Sequence, residues 1–299
     1  MESRKRDKVS GLTFEIESEK PVAVFIQSDK IKKCIDYIKK HTLENVIINS
    51  EHKYKLQHLD FLKENTFLKS VEIETDIADC SALNFLHDLK TLMIHKSDKV
   101  VDFSNFPKLE SLNLTWNKNF INIERCSHLK KLTLWKYTNE NLLFLESFPD
   151  LEELSIYDSK IRHLTGIEHC KRLTSVTLTR NRNLESINSL TTTSKTLAKL
   201  VLEGSRKLND YNSLSELSNL KDLYIIGCGE TQNINFAEKL NTLNYGYIDI
   251  NIIDGQVNTL LERPIIFKNY KHFTHKNTLK WKIMSDGTSK LMRNGSLLK

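Results

Sequence analysis

Residues 129–137 read LKKLTLWKY. Leu129, Leu132 and Leu134 are spaced so that all three can point into one core. Because side chains alternate along a β-strand, Trp135 falls on the opposite face from these leucines. The stretch therefore predicts a short strand with one buried face and a large aromatic residue on the other face.

The same spacing, L-x-x-L-x-L, occurs along most of the chain. Clear copies are LKSVEI (68–73), LKTLMI (89–94), LESLNL (109–114), LEELSI (151–156), LTSVTL (173–178), LAKLVL (197–202) and LKDLYI (220–225), with weaker copies LENVII at 43 and LNTLNY at 240. Successive leading leucines lie 20 to 25 residues apart. Units this short cannot bury their leucines alone, so they must stack on one another around a continuous core.

This pattern resembles the leucine-rich repeat family, over about residues 43–248 and about ten repeats. The short period is more similar to the bacterial internalin-type and phosphatase-regulator-type repeats. The resemblance implies an α/β repeat fold: a right-handed solenoid with a parallel concave β-sheet and terminal caps. The family usually has Asn eight residues after the leading leucine. Asn117 and Asn181 fit, whereas the other equivalent positions hold Asp76, Ser97, Tyr137, Ser159, Ser205 and Cys228.

Both ends of the array need a cap. Residues 1–42 are predicted to form the N-terminal cap, a hairpin of TFEIE (13–17) and VAVFIQ (22–27) followed by an amphipathic helix at 28–41 with Ser28 or Asp29 as N-cap. Residues 249–299 are predicted to form a basic C-terminal β cap. It contains a strand at 265–270 and a hairpin of 279–284 and 288–292 around an Asp-Gly turn.

The formal net charge of +6 is concentrated at the C-terminus. From residue 264 onward there are eight basic residues against Asp286 alone, giving +7, so the remainder carries −1. Because nucleic-acid readers need a basic stripe on the binding face, the balanced repeats do not favour a nucleic-acid partner. A nucleic-acid-associated factor acting through the basic C-terminal cap stays open as the alternative.

The cellular location of the protein is predicted from its cysteines and its hydropathy. Five widely spread cysteines suit a reducing compartment, where each acts as a small buried apolar group. No apolar run is long enough for a membrane helix, and the start MESRKRDKVSG lacks the apolar core of a signal peptide. We therefore expect a cytoplasmic protein without a membrane segment.

The residues that alternate with the leucines define the candidate binding face. Positions four and six after each leading leucine project from the sheet, and position seven lies at its border. The candidate partner-binding residues on these positions are Met93, His95, Trp116, Trp135, Lys136, Tyr157, Asp158, Arg180 and Tyr224. Clustered aromatic residues with charged neighbours are typical anchors of protein interfaces. Two alternatives stay open: the aromatic residues stabilise the sheet by cross-strand packing, as Trp135 with Tyr157 could, or they form a sugar-binding platform.

Catalytic motifs are missing from the sequence. It has no Gly-rich phosphate loop and no H-E-x-x-H or C-x-x-C spacing, and His272 with His275 would need further ligands to hold a metal. We expect no enzyme activity, no cofactor and no metal site. The prediction is a monomeric protein-interaction module. The amino-acid composition, rich in Lys, Asn and Ile, resembles that of proteins from an AT-rich bacterium. In such a cell the module could be an immunity protein that neutralises a toxin or effector.

Overall fold

The computed structural model describes residues 3–6, 11–255, 257, 260, 263–267, 279–283, 289–293 and 296–297. These residues belong to two compact units, Met1–Trp135 (unit 1) and Lys136–Lys299 (unit 2). Each unit is built around a parallel sheet of short strands. The division into caps at 1–42 and 249–299 around repeats at 43–248 stays a prediction.

Unit 1 begins with antiparallel strands and continues with parallel ones. Its strands are β1 Ser3–Arg6, β2 Thr13–Glu17, β3 Lys20–Phe25, β4 Asn45–Ile48, β5 Ser70–Ile73, β6 Thr91–Ile94, β7 Val101–Asp102, β8 Ser111–Thr115, β9 Phe120–Ile121 and β10 Lys131–Trp135. Strands β1, β2 and β3 pair antiparallel, and the sheet then runs parallel through β4, β5, β6, β8 and β10. The short strands β7 and β9 pair with each other. Helix α1, Ile31–Lys40, connects β3 to β4.

Unit 2 contains a parallel sheet and a separate antiparallel one. The parallel strands are β11 Glu153–Tyr157, β12 Ser175–Thr179, β13 Lys199–Glu203, β14 Asp222–Ile226, β15 Tyr245–Asp249 and β16 Ile265–Phe267. Each pairs with the next in sequence order. Strands β17 Leu279–Ile283, β18 Ser289–Arg293 and β19 Ser296–Leu297 pair antiparallel.

The leucines of the repeat pattern form the core of each unit. Leu129, Leu132 and Leu134 are at most 1% exposed, and the equivalent residues of the clear copies are buried in the same way. Each fully buried leucine contributes roughly 1.5–3 kcal/mol of hydrophobic free energy. This burial, repeated coil after coil, holds strands of only four or five residues in place.

The chain returns between strands through short 3₁₀ turns. In unit 1 they span Asp60–Glu64, Ser81–Phe85, Phe103–Asn105 and Ile123–Arg125; in unit 2 they span Leu143–Ser147, Ile167–His169, Asn188–Thr193, Asn212–Glu216 and Asn235–Lys239. A repeat of just over twenty residues leaves too few residues for a long helix after its strand and loops. A 3₁₀ turn is the tighter element that fits this length.

In unit 2, residues eight positions after the leading leucines, where the family usually has Asn, form a chain of hydrogen bonds between coils. The Ser159 hydroxyl accepts from the Tyr137 N–H at 3.0 Å, and the Ser159 N–H donates to Asn181 Oδ1 at 3.0 Å. The Asn181 amide then donates to the Ile156 carbonyl at 2.9 Å. Ser159 and Asn181 therefore satisfy buried backbone groups of neighbouring coils, as buried polar groups generally require. The Ser205 hydroxyl at the next equivalent position is buried without a hydrogen-bond partner among the described residues.

The expected N-cap of helix α1 is wrong. Helix α1 has Lys30 at its N-cap and no side-chain cap, while the Ser28 hydroxyl instead accepts from the Lys55 N–H at 2.7 Å. Ser28 was expected to cap the helix, but it is used to bind the loop that follows β4.

The sequence pattern placed the last weak repeat, LNTLNY at 240, three residues too early. Asp222 pairs with Tyr245, so the residue equivalent to Leu220 is Leu243 and not Leu240. Gly246 then occupies an inward position where the other strands carry an aliphatic side chain. A Cβ there would lie 2.9 Å from Ile265, which fills the space. The leucine pattern therefore fails although the parallel strands continue to Phe267, beyond residue 248.

Candidate functional site

The candidate residues lie on the sheet face that points away from the leucine core, called here the outer face of each unit. In unit 1 Met93 lies in β6, His95 and Trp116 directly follow β6 and β8, and Trp135 ends β10. All four side chains are half-buried. Neither indole is buried in the core, as the alternation of strand side chains predicts.

Cross-strand contacts hold the aromatic side chains of unit 1 in place. The Trp135 indole Nε1 donates to Asn113 Oδ1 at 3.1 Å, and the Trp116 backbone N–H donates to the Trp135 carbonyl at 2.8 Å. The His95 ring nitrogen Nδ1 lies 3.0 Å from the Thr115 hydroxyl. The Trp135 and His95 side chains are therefore preorganised, which reduces the entropy lost when a ligand binds them.

In unit 2 the candidate residues follow the ends of neighbouring strands. Tyr157 ends β11, Asp158 and Arg180 come directly after β11 and β12, and Tyr224 lies in β14. Arg180 forms a two-pronged ion pair with Asp158, through Nε at 2.8 Å and a terminal nitrogen at 2.7 Å. The hydrogen bond from Arg180 lowers the pKa of Asp158 below its usual value. Tyr224 lies two strands from β12, away from this pair.

The strand-end residues of unit 2 share an unusual backbone conformation. Lys136, Asp158 and Arg180 have φ of 56°, 50° and 54°, the left-handed region that costs a residue with a Cβ roughly 1–2 kcal/mol. Each of these three N–H groups donates to the carbonyl of the last residue of the next strand, at 2.7 to 3.0 Å. The same position holds Gly204 and Gly227 in the next two coils. Three charged side chains therefore stand exposed where glycine would be less strained.

The sequence analysis missed two tyrosines on the outer face of unit 2. With Leu243 as the leading residue, Tyr245 and Tyr247 occupy outward positions on β15. The rings of Tyr224 and Tyr245 are 5.4 Å apart. The signal that could have found them is a shift of the last repeat by three residues, which also places Ile248 inward.

The sequence analysis also made predictions about the cysteines, a histidine pair, metal ligands and membrane segments. All five cysteines are free, and burial raises the pKa of Cys80, Cys126 and Cys170 to about 12. His272 and His275 lie outside the described residues, and the side chains of the basic C-terminal strands are likewise not described. Within the described ranges, no three His, Cys, Asp or Glu side chains are grouped as metal ligands. No helix among the described residues is long and apolar enough to cross a membrane.

Stacked coils of a short parallel strand, a loop and a 3₁₀ turn define leucine-rich repeat proteins, and solved structures of that class match this chain. The alignment with an internalin from Listeria monocytogenes covers 83% of this chain and 75% of the internalin chain, at 19% sequence identity and a TM-score of 0.52. A leucine-rich repeat protein of Leptospira interrogans matches 81% of this chain and 74% of its own, at 12% identity and a TM-score of 0.51. No family model and no curated protein matches the sequence. The chain has the leucine-rich repeat fold, which confirms the predicted fold class.

Proposed function

We propose that this protein is a non-enzymatic interaction module that binds a protein partner with the outer faces of its sheets. The residues we assign to binding are Met93, His95, Trp116 and Trp135 in unit 1, and Lys136, Tyr157, Asp158, Arg180 and Tyr224 in unit 2. Large rigid rings bury much area for little loss of conformational entropy, and charged neighbours fix the orientation of a partner.

The observation that carries this proposal is the strain at the strand ends of unit 2. Lys136, Asp158 and Arg180 adopt positive φ angles at one equivalent position in successive coils, and all three side chains are exposed. Residues held in such conformations are concentrated at functional sites. Ser18, Glu19, Thr42, Lys53 and Asn122 also have positive φ, but they do not share one position in successive coils. Two later coils of the same unit do have glycine there, so the fold itself does not require a charged side chain.

The partner we propose is a toxin or effector that the protein neutralises in the bacterial cytoplasm. Two observations support the bacterial cell and the reducing compartment in this proposal, while the class of partner is part of the proposal itself. The similar folds described above belong to bacterial proteins. The five free cysteines, four of them buried, suit a reducing compartment.

Capture of the partner from native cells tests the proposal. Tagged wild-type protein is compared with the double variant Tyr157→Ala/Arg180→Ala and with Trp135→Ala. We expect Trp135→Ala to bind the same partner about thirtyfold more weakly and the double variant to bind it more weakly still, because a single interface anchor contributes about 2 kcal/mol or more. Arg172→Ala is the matched control, since it also breaks one surface Arg–Asp pair, to Asp150 at 3.0 Å.

Two outcomes would contradict the proposal. Undiminished recovery by both the double variant and Trp135→Ala would exclude the outer faces as the binding surfaces. Recovery that falls steeply with salt and is abolished by nuclease would instead favour the nucleic-acid alternative, because phosphate contacts release counterions.

A further inference from the structure

A second group of side chains lies on the outer face of unit 2, across strands β13 to β16. Val201, Tyr224, Tyr247 and Ile266 are successive partners in the parallel register and form one row. All four are half-buried. We call these four residues the tyrosine row. It presents two phenol rings between aliphatic side chains on a rigid sheet.

Carboxylates lie on both sides of the tyrosine row. Asp222 precedes Tyr224 by two residues on the same face, and Glu203 follows Val201 by two residues on the same face. Burial and the nearby charge of Asp222 both raise the pKa of Tyr224, which is consistent with their proximity. Lys199 lies directly opposite Asp222 in the strand register, and Arg180 is close enough to Glu203 for the two charges to interact, but no ion pair within the described residues joins these groups.

Two border positions beside the tyrosine row are glycines and carry no side chain of their own. Gly204 and Gly227 follow β13 and β14 with φ of 66° and 57°, at the position that Asp158 and Arg180 occupy in two earlier coils. A Cβ at Gly227 would meet no atom within 4 Å. A Cβ at Gly204 would instead lie 3.3 Å from the Arg180 side chain, so the open approach to the row is at Gly227.

We propose that the tyrosine row and its carboxylates bind an arginine-rich segment of the protein partner. This inference rests on the proposed function and names the chemistry of the bound segment. A guanidinium group stacks on phenol rings and forms paired hydrogen bonds with carboxylates, so it uses both features at once. The protein has a formal net charge of +6, which repels a cationic segment, so the attraction must come from a local acidic surface.

A blocked peptide of alternating arginine and glycine is the probe, with citrulline in place of arginine as its neutral counterpart. Calorimetric titration compares the wild type with the double variant Glu203→Gln/Asp222→Asn. We expect the arginine peptide to bind the double variant about tenfold more weakly, because both carboxylates that pair with guanidinium groups are neutralised. The citrulline peptide is expected not to bind measurably. Tyr247→Leu keeps an apolar side chain but removes a ring face, and is expected to weaken binding several-fold.

The control is Glu146→Gln/Glu216→Gln, which removes two exposed carboxylates from the 3₁₀ turns and changes net charge equally. Equal binding of the peptide by the wild type and by Glu203→Gln/Asp222→Asn would overturn the inference, as would no binding of the arginine peptide to the wild type. Either result leaves the proposed function standing if partner capture still depends on Tyr157 and Arg180. Loss of peptide binding in both double variants would mean general charge attraction and would also overturn it.

Discussion

The residues that follow the strands of unit 2 show which features of a strand end the fold requires. Lys136, Asp158 and Arg180 hold their backbone in the left-handed region, and each N–H still completes the pairing to the next strand. Trp116 makes the equivalent bond without a positive φ, so the pairing itself requires neither the left-handed conformation nor a charged side chain. Gly204 and Gly227 make the same bonds without a Cβ.

Lys136→Gly tests this requirement directly. Glycine adopts positive φ without a steric penalty, so we expect the free energy of unfolding to rise by about 1 kcal/mol. If Lys136 contacts the partner, affinity falls in the same variant. Denaturant unfolding measures the first effect and titration with the captured partner measures the second. Lys118→Gly, at an exposed site with no positive φ, is the control and is expected to lose stability. A loss of stability in Lys136→Gly would contradict the strain argument.

Among the elements, the turn before the 3₁₀ segment Ile167–His169 is the most tightly constrained by its glycine. Gly166 has φ of 111°, and a Cβ on it would lie 2.1 Å from the Leu142 carbonyl oxygen. Gly227 also has positive φ, but a Cβ there meets nothing. The two positions therefore distinguish a backbone clash from conformational strain alone.

Alanine at each of these glycines gives a prediction for the turns. We expect Gly166→Ala to lower the free energy of unfolding by about 3 kcal/mol or more, because the neighbouring backbone must move. Gly227→Ala is expected to cost only about 1 kcal/mol, from its φ angle. Chemical denaturation of both variants measures the difference. Equal losses would show that the Leu142 backbone moves aside at little cost.

At the scale of the whole molecule, the five thiols report on the integrity of both units. Cys34, Cys80 and Cys126 are buried in unit 1 and Cys170 is buried in unit 2, while Cys228 is half-buried. Burial raises the pKa of Cys228 to about 11 and of three others to about 12. Thiolates, the reactive form, are therefore scarce in the native protein at neutral pH.

We expect a disulfide reagent at pH 8 to label native protein slowly and to label all five cysteines after denaturation. Cys228 should react first, because it alone is partly exposed. Reaction rates measured with mass spectrometry after digestion would assign each site. The variant Cys228→Ser is the control, and it should remove the fastest phase without changing the others. Rapid labelling of Cys126 in native protein would contradict the burial of the repeat core.

The spacing of the leucines by itself determined the leucine-rich repeat fold, because an aliphatic residue at three fixed positions can be buried only if successive coils stack. The same alternation predicted which side chains face outward at Trp135, Tyr157 and Tyr224. Two features depended on tertiary structure. The last coil uses Gly246 where a leucine was expected, since Ile265 fills that space, and this shift concealed Tyr245 and Tyr247. The positive φ angles of Lys136, Asp158 and Arg180 are seen only in the structure, because charged residues have no local sequence signal for the left-handed region.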